Sequence, residues 1–349
     1  MRQEIDIAFA LLRAALDGTD ECAKLNTQHL TLNTHDWWRL FRLLQQNHVA
    51  AMTADTVAAL DVPREVKIPW LAERDKAEHW HRYQKEIQQE IVNTMQKHGI
   101  ETLVLKGTHT AAYYPIPELR EFGDLDLFFY DKHDVADRIA EKKLGVTVSN
   151  DAHHHSKYNY RGVTVESHYD FVNRHYPPSN QRYEALLKEL APTPTFEILF
   201  LLRHMACHFA ASRITLRDLV DWTLTCRALQ DKVDWERVNT VAKDFGMEPF
   251  ITTLNAIAEQ RLGSDIGLAP VADVGQVPVP CHALEHDLVY GSAVADHGGD
   301  GLSRLGWKLR RWRALAWKRR LVFNDSEGAL LLASLTSHAE KPHSILHKM

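Results

Sequence analysis

The stretch Gly123-Asp124-Leu125-Asp126-Leu127-Phe128-Phe129 constrains the fold more than any other part of the 349-residue chain. In an extended strand, residues two apart share a face, so Asp124 and Asp126 project together while Leu125, Leu127 and Phe129 point into a core. Two carboxylates side by side repel each other. The arrangement is costly unless a divalent cation neutralises it, and Mg2+ is the usual occupant when substrate phosphates complete its oxygen shell. No other Asp-x-Asp occurs in the chain.

A third carboxylate on a neighbouring strand completes such a site, and Glu166 is placed for it. In a strand from Val163 to Phe171, Thr164, Glu166, His168 and Asp170 share one face and Val163, Val165 and Tyr169 the other. Upstream, Leu103-Val104-Leu105 reads as a short strand that runs through Lys106-Gly107-Thr108 into a small-residue helix ending at Pro115. Glycine there permits close backbone approach, the helix start offers free N–H groups to an anion, and a threonine hydroxyl donates to a phosphate oxygen. Arg120, four residues before Asp124, is within reach of a triphosphate, although an arginine in a loop also reads as a surface residue.

These elements sit between helical segments. Ile5, Ala8, Phe9, Leu12, Ala15 and Leu16 recur at helical spacing, as do Trp37, Leu40, Phe41 and Leu44 behind a cap at Thr34. A long helix runs to His98 and stops at Gly99. Beyond Asp-Leu-Asp the pattern predicts strand from Leu125 to Tyr130, helix from Asp134 to Leu144, and a hairpin of His155 to Tyr160 with Val163 onward, turning at Arg161-Gly162. Helices return from Thr195, with Leu216, Leu219, Val220 and Leu224 on one and Asp234 capping another; a Val, Pro and Gly-rich loop follows near residues 264 to 282. The expected organisation is an N-terminal helical region (1–99), an α+β core (100–190) and a C-terminal helical domain (191–349).

With these motifs in place, residues 100 to about 171 resemble the nucleotidyltransferase superfamily, in which a glycine-serine turn precedes an Asp-x-Asp and a third acid follows on a later strand. Leu-Lys-Gly, Arg, Gly-Asp-x-Asp-Leu and Val-Glu-x-His look like the bacterial group of uncharacterised nucleotidyltransferases. The resemblance implies a small mixed sheet of the polymerase beta type flanked by helices. It implies Asp124, Asp126 and Glu166 as catalytic metal ligands for Mg2+, or Mn2+ in its place. Lys106, Gly107, Thr108, Arg120 and His168 would line an NTP such as ATP, and NMP would pass to an acceptor with release of pyrophosphate. Thr108 stands where serine is usual but keeps the hydroxyl, and the gap from Gly107 to Asp124 is long for the superfamily. The same motifs would also suit a toxin-like enzyme that modifies tRNA or protein, or a non-catalytic nucleotide-binding scaffold.

His204 and His208 share a helix face among Leu, Met and Phe residues, with no glutamate in a zinc-protease arrangement, and read as core or cleft histidines. His153-His154-His155 reads as a strand start rather than a metal tract. Arg217, Asp218 and Asp221 cluster near a helix start, where they suit a surface contact or a cleft-closing role. Residues 304 to 320 interleave Arg304, Lys308, Arg310, Arg311, Arg313, Lys318, Arg319 and Arg320 with Trp307, Trp312 and Trp317. Either an anionic partner docks there or an amphipathic helix lays its tryptophans on the helical domain. The net charge of -5 argues against a surface built to wrap nucleic acid. Scattered Cys22, Cys207, Cys226 and Cys281 indicate a reducing setting, and with no signal peptide or membrane span evident the expected location is the cytoplasm.

Overall fold

The computed structural model describes residues 2–17, 32–150, 154–263, 281–291 and 301–339. A four-stranded sheet of β1 (Leu103–Val104), β2 (Asp124–Phe128), β3 (His155–Tyr160) and β4 (Val163–His168) has the order β1-β2-β4-β3. β2 and β4 are parallel, whereas β1 pairs antiparallel with β2 and β3 with β4. The sheet is therefore mixed, and helices flank it before and after in the chain.

Alternation along the strands decides which face is buried. Leu125, Leu127 and Phe129 join Tyr158, Val163 and Val165 in one hydrophobic cluster against Ile87, Ile91 and Met95, which recur every fourth residue on the Arg64–Lys97 helix. Each such apolar side chain contributes roughly 1.5–3 kcal/mol on burial. A second, larger cluster joins helices from the two ends of the chain, with Trp37, Trp70 and Trp222 all at 2% exposure or less. The Arg2–Asp17 helix is tied to the Glu248–Leu262 helix by Arg13 Nη2, which donates to the Arg261 carbonyl at 2.9 Å. Trp70 belongs to this second cluster and Ile87 to the first, so the 34-residue Arg64–Lys97 helix serves both.

Several boundaries differ from the sequence expectation for local reasons. Asn33, not Thr34, caps its helix, its side chain accepting from the Asp36 N–H at 3.0 Å. β2 stops at Phe128 because the chain turns at Tyr130, whose φ is 53°. β4 ends at His168. The helix after β2 is regular only over His133–Ile139 and widens over Ala140–Leu144 before Gly145 ends it at φ 68°. The hairpin turn lies at Arg161-Gly162, with both residues at positive φ, and Asp234 caps its helix by accepting from the Arg237 N–H at 2.9 Å. Most of the loop near 264 to 282, and Cys22, lie outside the described residues. Among the described residues, no helix is long and apolar enough to cross a membrane.

Gly246 marks a close approach in the larger cluster. Its φ is 73°, and a Cβ there would lie 2.6 Å from the Asn324 backbone nitrogen and 2.8 Å from the Phe323 carbonyl carbon. Gly246→Ala is expected to cost roughly 2–4 kcal/mol, from left-handed strain together with overpacking. Urea denaturation reads this directly, and a loss below about 0.5 kcal/mol would contradict the packing of residues 323 and 324 on the turn.

Candidate functional site

Strand register assembles the polar face. Asp126 lies opposite Glu166 and Phe128 opposite His168 across the β2–β4 pair; Lys157 lies opposite Glu166 and His155 opposite His168 across β3–β4. Cross-strand partners share a face, so Asp126, Glu166 and Lys157 form one row and His168 with His155 the next.

The distances show how these groups engage. Asp126 Oδ1 lies 3.1 Å from Lys106 Nζ and 3.1 Å from His168 Nε2. Glu166 Oε1 lies 3.2 Å from Lys157 Nζ and 3.5 Å from His155 Nε2. Asp126, Glu166 and His168 each present a potential ligand atom within 4.8 Å of the others. Asp124 stands outside that trio but contributes charge to it.

The two central carboxyls are driven in opposite directions. Burial disfavours ionisation of Asp126, which is 2% exposed, yet Lys106 and His168 overcome it and hold the carboxyl well below the usual range. Burial, then repulsion from Asp124 and Asp126, pushes Glu166 above its ordinary value.

The loop from Lys106 to Thr108 is held from three sides. The Leu105 N–H donates to the Asp126 carbonyl at 3.0 Å, which fixes where Lys106 emerges. Gly107 has φ 63° and ψ -116°, and a Cβ there would sit 3.3 Å from the Phe122 ring. Thr108 donates its hydroxyl to Gln88 Oε1 at 2.7 Å, so that proton is already committed.

Arg120 is buried rather than a surface residue, and its carboxylate partner is Asp221. Its guanidinium makes a bidentate pair with Asp221, Nε to Oδ1 and Nη2 to Oδ2 both at 2.7 Å, and Nη1 donates to the Gly107 carbonyl at 3.2 Å. Tyr114 donates its hydroxyl to the same Asp221 Oδ1 at 2.6 Å. Burial and then Asp221 push that phenol upward, which keeps it a donor. Arg217 Nη1 donates to the Glu121 carbonyl at 3.2 Å, and Asp218 closes a capping box with Thr215.

The site also contains groups that the motif spacing does not single out. Lys157 and His155 enter through the hairpin register described above. His204 brings its Nε2 to 3.3 Å from Lys106 Nζ, and burial, then Lys106, push it well below its ordinary value. His154 and His155 flank His168, with ring centroids 5.3 Å and 5.0 Å from it. Burial and the neighbouring His168 push their ring pKa values down to about 2 and about 3. His153 lies outside the described residues.

Much of the basic tryptophan segment is committed to the helical body. Trp312 and Trp317 pack against the larger cluster, Arg319 lies 3.7 Å over the Trp312 ring, and Lys318 pairs with Asp287 at 2.6 Å. Arg310, Arg313 and Arg320 remain exposed, and the Arg304 side chain lies outside the described residues. A cavity of about 760 Å³ opens past the ends of β2 and β4, lined by Phe128, Tyr169, Asp170, Arg174, His175 and Lys188 among others. None of the site acids lines it.

A small mixed sheet flanked by helices, with acids on adjacent parallel strands beside a lysine-glycine turn, is the core of a nucleotidyltransferase. A family model described as uncharacterised nucleotidyltransferase matches residues 33–263, and the chain belongs to that family. The match begins at the cap residue Asn33 and ends at Gly263, where the Glu248–Leu262 helix stops, so helices on both sides of the sheet belong to the family unit. No curated protein and no solved structure matches the chain.

Proposed function

We propose that this chain transfers a nucleotide from an NTP to an acceptor hydroxyl, with residues 100–190 as its catalytic core. The observation that carries the reading is the Asp126–Glu166 pairing across β2 and β4 with Lys106 against it. The donor set suits Mg2+: Asp126 is held ionised, its carboxylate neighbours are oxygen donors, and Glu166 sits in a field of like charge that a cation relieves. Asp126 and Glu166 would hold the ion, with Asp124 at the rim. When bound, Mg2+ or Mn2+ supplies charge neutralisation at the α-phosphate.

The chain's own groups do the rest. His168 orients the Asp126 carboxylate through Nε2. Lys106 and the Gly107 backbone receive the phosphate oxygens, while Arg120 acts as a positioning residue by holding the Gly107 carbonyl. The acceptor oxygen attacks the α-phosphorus, the bond to the bridging oxygen breaks, and pyrophosphate leaves with that electron pair. Glu166, with its carboxyl raised, takes the acceptor proton. An anionic acceptor docking on the segment 304–320 would meet Arg310, Arg313 and Arg320. We place the chain in a reducing cytoplasm on the scattered spacing of its four cysteines.

The test is incubation of the purified chain with Mg2+, each α-labelled NTP and a fractionated cell extract. Label is expected on one class of acceptor with stoichiometric pyrophosphate, abolished by EDTA. Nucleotide binding with neither label transfer nor pyrophosphate would refute the reading.

A further inference from the structure

Two imidazoles beside the carboxylates have no role in the reaction above. His155 faces His168 across the β3–β4 ladder, and His154 precedes it, held where the Tyr169 N–H donates to its carbonyl at 3.1 Å. His154, His155 and His168 each offer a ligand atom within 4.8 Å of the others. The Nδ1 atoms of both His154 and His155 are buried without a hydrogen-bond partner. A buried polar atom left unpaired costs about 1–3 kcal/mol, and two of them sit on imidazoles whose rings lie 5.3 Å and 5.0 Å from that of His168.

We propose that His154, His155 and His168 form a second cation site, selective for a transition ion of the Zn2+ or Co2+ class over Mg2+. Imidazole nitrogen suits such ions, whereas Mg2+ demands oxygen. Zn–N bonds of about 2.0–2.1 Å require nitrogens about 3.3 Å apart in a tetrahedral site, so modest side-chain rotation closes the observed cluster. Glu166 lies beside it, 3.5 Å from His155 Nε2 and 3.8 Å from His168 Nε2, and supplies the neighbouring oxygen. His168 keeps Nε2 on Asp126 at 3.1 Å, so an ion on Nδ1 would replace the longer 3.4 Å contact to the Asp170 carbonyl. The site does not depend on the transfer reaction, because ion binding is read by itself.

The experiment uses the full chain, stripped with a chelator and titrated with Co2+ while visible absorption is followed. One equivalent is expected to bind with the intense d–d bands of low coordination, displaced by Zn2+ and not by excess Mg2+. His155→Gln is expected to weaken Co2+ binding at least roughly 100-fold, exceeding the 10–100-fold typical of partners one layer further out. His155→Cys, which restores a ligand, should regain binding with a sulfur charge-transfer band, and Asp126→Asn should keep the d–d bands. Absence of the bands in the unaltered chain would overturn the site. So would their survival in His155→Gln, or their loss in Asp126→Asn with the fold intact by circular dichroism.

Discussion

Asp126→Asn is expected to lower nucleotide transfer by at least roughly 10²–10³-fold, the scale of losing one preorganised charge at a reacting phosphate. The substitution keeps the shape of the side chain and removes the charge that meets Lys106 and His168. Lys106 would keep partial solvent access, its side chain being 18% exposed, so the cost to folding should stay well short of that for a fully enclosed ion. The measurement is single-turnover pyrophosphate release beside a thermal melt. An unchanged rate in a folded protein would remove Asp126 from the chemistry, and with it the reading of the acidic face as a cation site.

Asp221→Ala is expected to act differently, through stability first. Arg120 and Asp221 side chains are each 4% exposed, and Tyr114 donates to the same carboxylate. Removing one partner of such a pair strands a buried charge at a cost of about 3–5 kcal/mol. Because Arg120 also holds the Gly107 carbonyl, the phosphate turn should loosen, raising KM for NTP more than it lowers kcat. The double substitution Arg120→Met with Asp221→Leu should recover much of the stability, since an apolar pair of similar volume often replaces a buried ion pair without loss. It should leave KM raised. Recovery of both would show that the turn does not rely on Arg120.

The acidic face was legible in the sequence because strand alternation is a local property: Leu125 and Leu127 go to the core and Asp126 to the opposite face. The hairpin carried more information than its motif. A two-residue turn at Arg161-Gly162 puts Tyr160 opposite Val163, and the ladder then fixes Lys157 on Glu166 and His155 on His168. The burial of Arg120, against the reading of a surface residue, was hidden because its partner Asp221 is 101 residues away and nothing local to either residue announces the pair. The approach of His204 to Lys106 spans 98 residues and was hidden for the same reason. At the Thr34 helix start, two good capping residues stood side by side, and the extended backbone of Asn33 decided between them.

The Arg64–Lys97 helix runs about 51 Å at 1.5 Å per residue, with Trp70 seated in one core and Met95 in the other. Between those ends it meets the glycine loop and the segment before β2 through Gln88 on Thr108, Gln84 Nε2 on the Phe122 carbonyl at 3.3 Å and the His81 ring against that of Phe122. One continuous helix thus packs in both cores and meets the loop at Gly107. A substitution that shifts the helix at Trp70 is therefore expected to displace Gln88 and, with it, the loop from Lys106 to Thr108, which hydrogen exchange at those amides would read.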